Sequence, residues 1–359
     1  MTIDLIPYGK TCGRVHGSPG RESRPNSITI DSHCHLHINK AEETVSGLVD
    51  IQDIPLLRWV SDHTRKVNQK QMKDRFIEIT DIESRFNIME EQGIDFQIIS
   101  PTPNQAYYWV EGEKGFDAIR QVNDGISEAV NKYPKKFSGM CTIPLQNIDE
   151  ALKELERCKN NLGYKAIQIL TWIHGKEVSD PYFKTFWSEV EKEQMTVFLH
   201  PNGFPQGERF TNHYFSNVIC NPFETAVAIQ RLIFDGILEK HPNLKIYCAH
   251  GGGYLPSYHA RMDHAWGARP DCREIINNPP SYYLSKLFFD TVVFSYEQLI
   301  YLVKLYGYQN IIMGTDYPFD MADSDPVGHV MNCPEINDLA KKAIVGGNAL
   351  KLFDLDITM

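Results

Sequence analysis

The chain has 359 residues, 42% hydrophobic and 11% aromatic, enough apolar side chain for one large domain or two ordinary ones. Its formal charge of −10 excludes a general nucleic-acid binder, which needs a positive field, yet leaves room for a few arginines around a small anion. The eight cysteines (Cys12, Cys34, Cys141, Cys158, Cys220, Cys248, Cys272 and Cys333) never stand as C-x-x-C, which excludes a zinc knuckle or a thioredoxin-like motif and suits a reducing compartment.

In chain order, residues 1–27 are rich in Gly, Arg, Ser and Pro without periodicity and read as an irregular arm. No apolar run reaches signal-peptide or membrane-span length, so a soluble cytoplasmic protein with no membrane partner is expected. Eight short apolar runs then read as strands: ITIDSH (28–33), FQIIS (96–100), FSGMC (137–141), AIQIL (166–170), TVFLH (196–200), KIYCAH (245–250), LFFDT (287–291) and IIMGTD (311–316). Helical spacing fills 81–92, 116–132, 149–160, 181–193, 222–240, 295–306 and 334–345, with Asp149 and Asp180 as N-caps and Gly93 and Gly163 as stops. Several strands are apolar on both faces, as a parallel sheet covered by helices requires. Eight strand–helix units predict an α/β fold, a (β/α)8 TIM-type barrel over 28–359. The stretch 38–80 exceeds an ordinary loop and predicts a small inserted subdomain or lid after the first strand. No G-x-G-x-x-G follows that strand, which disfavours a nucleotide fold.

The chemistry gathers at the strand ends. A barrel builds its site at the C-terminal ends of its strands, and a catalytic metal wants three or four nitrogen and oxygen ligands. The first strand ends His33-Cys34-His35, and residues two apart in an extended chain share a side, with Asp31 in the same register. The fifth ends at His200, the sixth at His250 and the eighth at Asp316. One such residue is weak evidence, since a lone histidine is more often structural and Asp316 could cap a helix. Independent structural roles would not place all five at one end of one barrel. His37 lies beyond the strand, and His174, His213, His259, His264 and His329 carry no positional argument. Lys165 precedes the fourth strand, so a carbamylated lysine bridging two metals is not expected, and one metal is the simpler count.

At the stretches IDSHCHLH, MEEQGIDFQIISPTP, IPLQN, FLHPNG, AHGGGYLPSYHARMDHAW, FFDTVVF and MGTDYPFDM, the sequence resembles the amidohydrolase superfamily, above all its single-metal decarboxylases of the aminocarboxymuconate-semialdehyde type. The likeness runs from about residue 28 to 350. It implies that His33, His35, His200 and Asp316 bind one divalent ion, zinc or alternatively manganese, and that His250 stands beside the bound water. It implies substrate-carboxylate binding by Arg261, which in that family serves the neighbouring subunit and makes a homodimer the working unit. Arg75 is the nearest second arginine, although an ungapped register places Lys73 there, and Arg269 is a third candidate. The expected activity is non-oxidative decarboxylation of a carboxylated muconate-semialdehyde-type or hydroxyaromatic acid in aromatic catabolism, with His250 and Asp316 as the acid–base groups. The alternatives are a hydrolase or hydratase acting on a C–C, C–N or C=C bond of a ring-cleavage product, and a barrel that only binds. Two departures stand out: the N-terminal arm is extra, and the loop after His200 (PNGFPQGERFTNHYFSN) lacks the aromatic-rich pattern expected there. The substrate is therefore expected to be a different small anionic carboxylate of the same kind.

Overall fold

A computed structural model describes residue 14 and residues 16–357. The eight expected runs form eight parallel strands: β1 (Ile30–Leu36), β2 (Phe96–Pro101), β3 (Phe137–Gly139), β4 (Ala166–Leu170), β5 (Thr196–His200), β6 (Lys245–Cys248), β7 (Phe288–Asp290) and β8 (Ile311–Ile312). Ladders run β1-β2-β3 and β4-β5-β6-β7-β8. Single parallel bridges join Cys141 to Ile167 and Cys34 to Tyr317, so the last strand returns to the first and the α/β barrel closes. An antiparallel pair, Trp172–Ile173 with Lys176–Glu177, sits beyond β4.

Two apolar layers hold the strands. Inside the barrel, Ile30, Phe96, Ile98, Met140, Phe198, Tyr247 and Ile312 pack together, and Phe353 from the C-terminus plugs the lower end. Outside, Cys34, Leu36, Ile99, Ile169, Leu199 and Met313 pack against the helices. Strand β1 changes face partway. Its pairing with β2 slips between Asp31 and Cys34, where one extra residue stands on β1. Below this bulge Ile30 points inward; above it Cys34 and Leu36 point outward, which leaves His33 and His35 facing the barrel interior.

The helices differ from the sequence reading mainly at their ends. Thr80 closes the helix Phe76–Thr80 and Asp81 follows it, so the next helix begins at Arg85. Asn147, not Asp149, caps Ile148–Asn160, accepting from the Glu150 amide at 3.1 Å. The stretch 222–240 breaks at Gly236, whose φ of +79° favours glycine. The span 39–80 is mostly helical, with Asp62–Asp74 its longest piece, and several of its side chains roof the mouth of the barrel. The end of the arm is less irregular than its composition predicts. It forms a short helix, Gly20–Ser23, packed so tightly that a Cβ on Gly20 would lie 2.3 Å from the Gln92 carbonyl. Arg14 is buried against Asp323 at 2.8 Å.

Candidate metal centre

The five strand-end residues converge. One donor atom each from His33, His200, His250 and Asp316 lies within 4.8 Å of all the others. His35 joins through Nε2, 3.2 Å from Asp316 Oδ1. The cluster is therefore five groups, with His250 as near the centre as the expected ligands. The rings of His33, His35 and His200 have centroids 5.0–5.2 Å apart and interplanar angles of 85–86°, so they approach from three directions.

Hydrogen bonds divide the histidines by role. His33 Nδ1 meets Asp290 Oδ2 at 2.6 Å, His35 Nδ1 meets the Pro101 carbonyl at 2.9 Å, and His200 Nδ1 meets the Pro201 carbonyl at 2.7 Å. Acceptors at Nδ1 fix the proton there and leave a lone pair on Nε2, the tautomer a ligating histidine needs. The three Nε2 atoms and Asp316 Oδ1 are all buried without a hydrogen-bond partner, a costly arrangement that a cation resolves. His250 differs: its Nδ1 has no hydrogen-bond partner, while its Nε2 faces Asp316 Oδ2 at 3.5 Å. The donor set fits one divalent metal ion.

The electrostatics leave two of the three rings neutral and put a proton on the third, which a bound cation would displace. Burial, then the neighbouring imidazoles, pushes His200 well below the ordinary imidazole value, and burial also lowers His35, so both rings stay neutral. Burial opposes charge on His33 too, but Asp316 and Asp290 outweigh it and raise that imidazole to about 10. Burial would raise the Asp316 carboxyl, yet His33, His250 and His35 hold it well below the carboxylate range. His250 and Asp316 both occupy the left-handed backbone region, with φ of +55° and +68°. Such strain in non-glycine residues gathers at functional sites.

Asp290, at the end of β7, went unassigned in the sequence. It accepts from His33 Nδ1 and the His250 amide through Oδ2, and from the Gly251 and Val292 amides through Oδ1. It thus ties a candidate ligand to the His250 loop. Its position at a strand end, in FFDT, was the available signal. Asp31 does not join the cluster. The bulge leaves it bonded to Thr315 Oγ1 at 2.8 Å and Gln97 Nε2 at 2.9 Å.

Above the cluster lies a cavity of about 840 Å³ with His200 and Asp316 in its wall, roofed by Leu56, Met72 and Phe76. None of the three candidate arginines lines it. Arg261 is exposed on the outer helix Leu255–Ala268, Arg269 is exposed and pairs with Asp271 at 2.6 Å, and Arg75 holds the Pro318 and Phe319 carbonyls. Among the described residues, the only charged side chains lining the cavity are Glu42, Glu43 and Asp316, so two arginines of one chain do not frame a dicarboxylate. The glycines after His250 serve packing within the protein, not approach to a ligand: a Cβ on Gly253 would lie 2.1 Å from the Pro222 carbonyl.

An amidohydrolase family model matches residues 30–355. The 2-amino-3-carboxymuconate-6-semialdehyde decarboxylase of Dictyostelium discoideum is 34% identical over 306 residues, covering 83% of this chain and 85% of that one. The gamma-resorcylate decarboxylase of Rhizobium sp. (strain MTP-10005) is 28% identical over 309 residues, covering 80% and 90%. In fold, the chain is similar to the manganese-bound 5-carboxyvanillate decarboxylase of Novosphingobium aromaticivorans, with a TM-score of 0.84 at 21% identity over 94% of this chain and 98% of that one. No helix among the described residues is long and apolar enough to cross a membrane. A closed barrel with four imidazoles and one carboxylate gathered at its strand ends, and a family match over nearly its whole length, together place the chain in the amidohydrolase family.

Proposed function

We propose that the protein is a metal-dependent carboxy-lyase that removes CO2 without oxidation from a hydroxyaromatic or muconate-semialdehyde-type carboxylic acid. The observation that carries this reading is the division of labour in the cluster. Three imidazole Nε2 atoms and Asp316 Oδ1 are buried without a hydrogen-bond partner, while the other Asp316 oxygen faces His250. His33, His35, His200 and Asp316 would hold one ion, and nitrogen-rich sets of this kind suit zinc or manganese better than calcium or magnesium. When bound, the ion supplies a Lewis acid that grips and polarises the substrate's oxygens.

The chain's own residues supply the rest. His35 and His200, kept neutral by burial, orient the site without adding charge. Asp316 Oδ2 and His250 Nε2, 3.5 Å apart, form a pair that can hold one proton and pass it to the substrate. The C–C bond to the carboxylate breaks, its electron pair stays on the ring carbon, and the proton from the Asp316–His250 pair takes the carboxylate's place. Solvent then restores that proton, so carboxylate plus proton yields arene plus CO2. Leu56, Met72 and Phe76 shield the substrate ring and limit water.

The working unit is a homodimer in this reading, because Arg261 is exposed and has no hydrogen bond or ion pair to its own chain among the described residues. The compartment is the cytoplasm, in keeping with free cysteines. The test is CO2 release from a panel of hydroxybenzoates and ring-cleavage acids, with protein stripped of metal and reloaded with zinc or manganese. Turnover that survives stripping, or water addition without CO2, overturns the proposal.

A further inference from the structure

A second cavity of about 380 Å³ adjoins the first, and Trp109 and Asn202 line both. Each residue carries one buried polar atom without a hydrogen-bond partner: the Trp109 indole N–H and the Asn202 carboxamide oxygen. The first can only donate and the second only accept. Asn202 is 4% exposed and its placement is set from several sides. Its amide nitrogen donates to Asn104 Oδ1 at 3.2 Å, which directs the carboxamide oxygen elsewhere. Its backbone carbonyl accepts from Leu56 of the roof at 3.1 Å. The next residue, Gly203, has φ of +79° and donates to Asn221 Oδ1 at 2.8 Å, so the chain here is pinned two residues after His200.

We propose that Trp109 and Asn202 are specificity-determining residues that recognise a free ring hydroxyl of the substrate. One small group satisfies a lone donor and a lone acceptor together: a hydroxyl, which accepts from the indole N–H and donates to the carboxamide oxygen. A methyl ether keeps the acceptor but loses the donor, and an unsubstituted ring offers neither. This deepens the preceding proposal, on which it rests for the carboxylate's place at the metal, and it narrows the substrate class to aromatic acids bearing an unmethylated hydroxyl. The side cavity that the pair also lines leaves room for a further ring substituent.

The experiment measures kcat/KM and binding for 2,3-, 2,4- and 2,6-dihydroxybenzoate, each beside its monomethyl ether with the 2-hydroxyl kept. The metal-loaded wild type is compared with Trp109→Phe, Asn202→Leu and Asn202→Asp. The wild type should prefer at least one free hydroxyl over its ether by roughly 10–100-fold, the range for leaving a buried polar pair unmatched. Trp109→Phe and Asn202→Leu should bring that ratio toward one with unchanged metal content and melting temperature. Asn202→Asp, which keeps an acceptor, should retain more of it. If the wild type binds but decarboxylates none of these acids, the reaction assignment fails, and binding of 2-nitroresorcinol against its monomethyl ether still decides the hydroxyl. A preference unchanged in the variants, or no preference in the wild type, overturns the inference.

Discussion

Asp290→Asn should be among the most damaging conservative changes in the molecule, although this residue is not itself a candidate ligand. Both of its oxygens are used twice: Oδ2 by His33 Nδ1 at 2.6 Å and the His250 amide at 2.8 Å, Oδ1 by the Gly251 and Val292 amides at 2.8 and 3.0 Å. An asparagine replaces one oxygen with an NH2 group, so in either orientation two donors face a donor. Each unsatisfied buried group costs about 1–3 kcal/mol, giving about 2–6 kcal/mol for the pair, a large share of a typical stability of ~5–15 kcal/mol. His33 can escape by moving its proton to Nε2 and accepting from the new amide, but that removes the lone pair the ion needs. Metal affinity should therefore fall ~10–100-fold, the usual cost of losing a group that orients a ligating histidine. Competition with a fluorescent chelator reads the affinity, and thermal melts with and without added manganese read the stability. A variant that binds metal like the wild type and melts at the same temperature would refute this account of the hydrogen bonds.

His200→Ala should lose metal outright, whereas His250→Ala should keep its ion and lose ~10²–10⁴ in kcat, because His250 acts on a proton; metal analysis beside turnover separates the two, and equal metal loss would make His250 a ligand. Arg261→Ala should weaken kcat/KM by roughly 10–150-fold if its guanidinium reaches a substrate carboxylate across a dimer, from a charge-assisted bond of ~1.5–3 kcal/mol. Mixing it with His250→Ala should then restore activity in hybrid dimers, and exchange proven by mass spectrometry without recovery would leave each chain to build its site alone. Burial would raise the Asp323 carboxyl, but His329 and Arg14 lower it from the ordinary 3.8 to about 2. Its stabilisation is complete above the unfolded value and lost as pH falls toward 2, and the gap between 3.8 and about 2 is worth about 2 kcal/mol. Urea melts of Asp323→Asn beside the wild type should therefore differ by that amount at pH 6 and converge at low pH; a constant difference would remove Asp323's charge from the explanation.

Local sequence was sufficient for the eight strands and for the four strand ends that carry the five chemical residues. Apolar runs between helical spacings admit few architectures, and a barrel puts every strand terminus at one mouth. The single-metal reading followed because His33, His35, His200, His250 and Asp316 had no other reason to end strands together. Long-range contacts decided the rest. Strict alternation from Ile30 would have turned His33 and His35 away from the interior, and only the bulge against β2 brings them in. Asp290 looked like any strand-end acid until its carboxylate was found between His33 and the His250 loop. None of the arginines expected at the substrate lines the cavity of its own chain, because helix position fixes where a side chain starts, while its neighbours in space fix where it goes. Environment does the same for charge: His33 and His200 are chemically identical in the sequence and both buried, yet Asp316 and Asp290 outweigh burial and raise one imidazole, while burial and then the neighbouring imidazoles lower the other. Periodicity is a property of neighbours along the chain, so it is written in the sequence; the environment of a side chain is a property of neighbours in space, and it exists only once the barrel has closed.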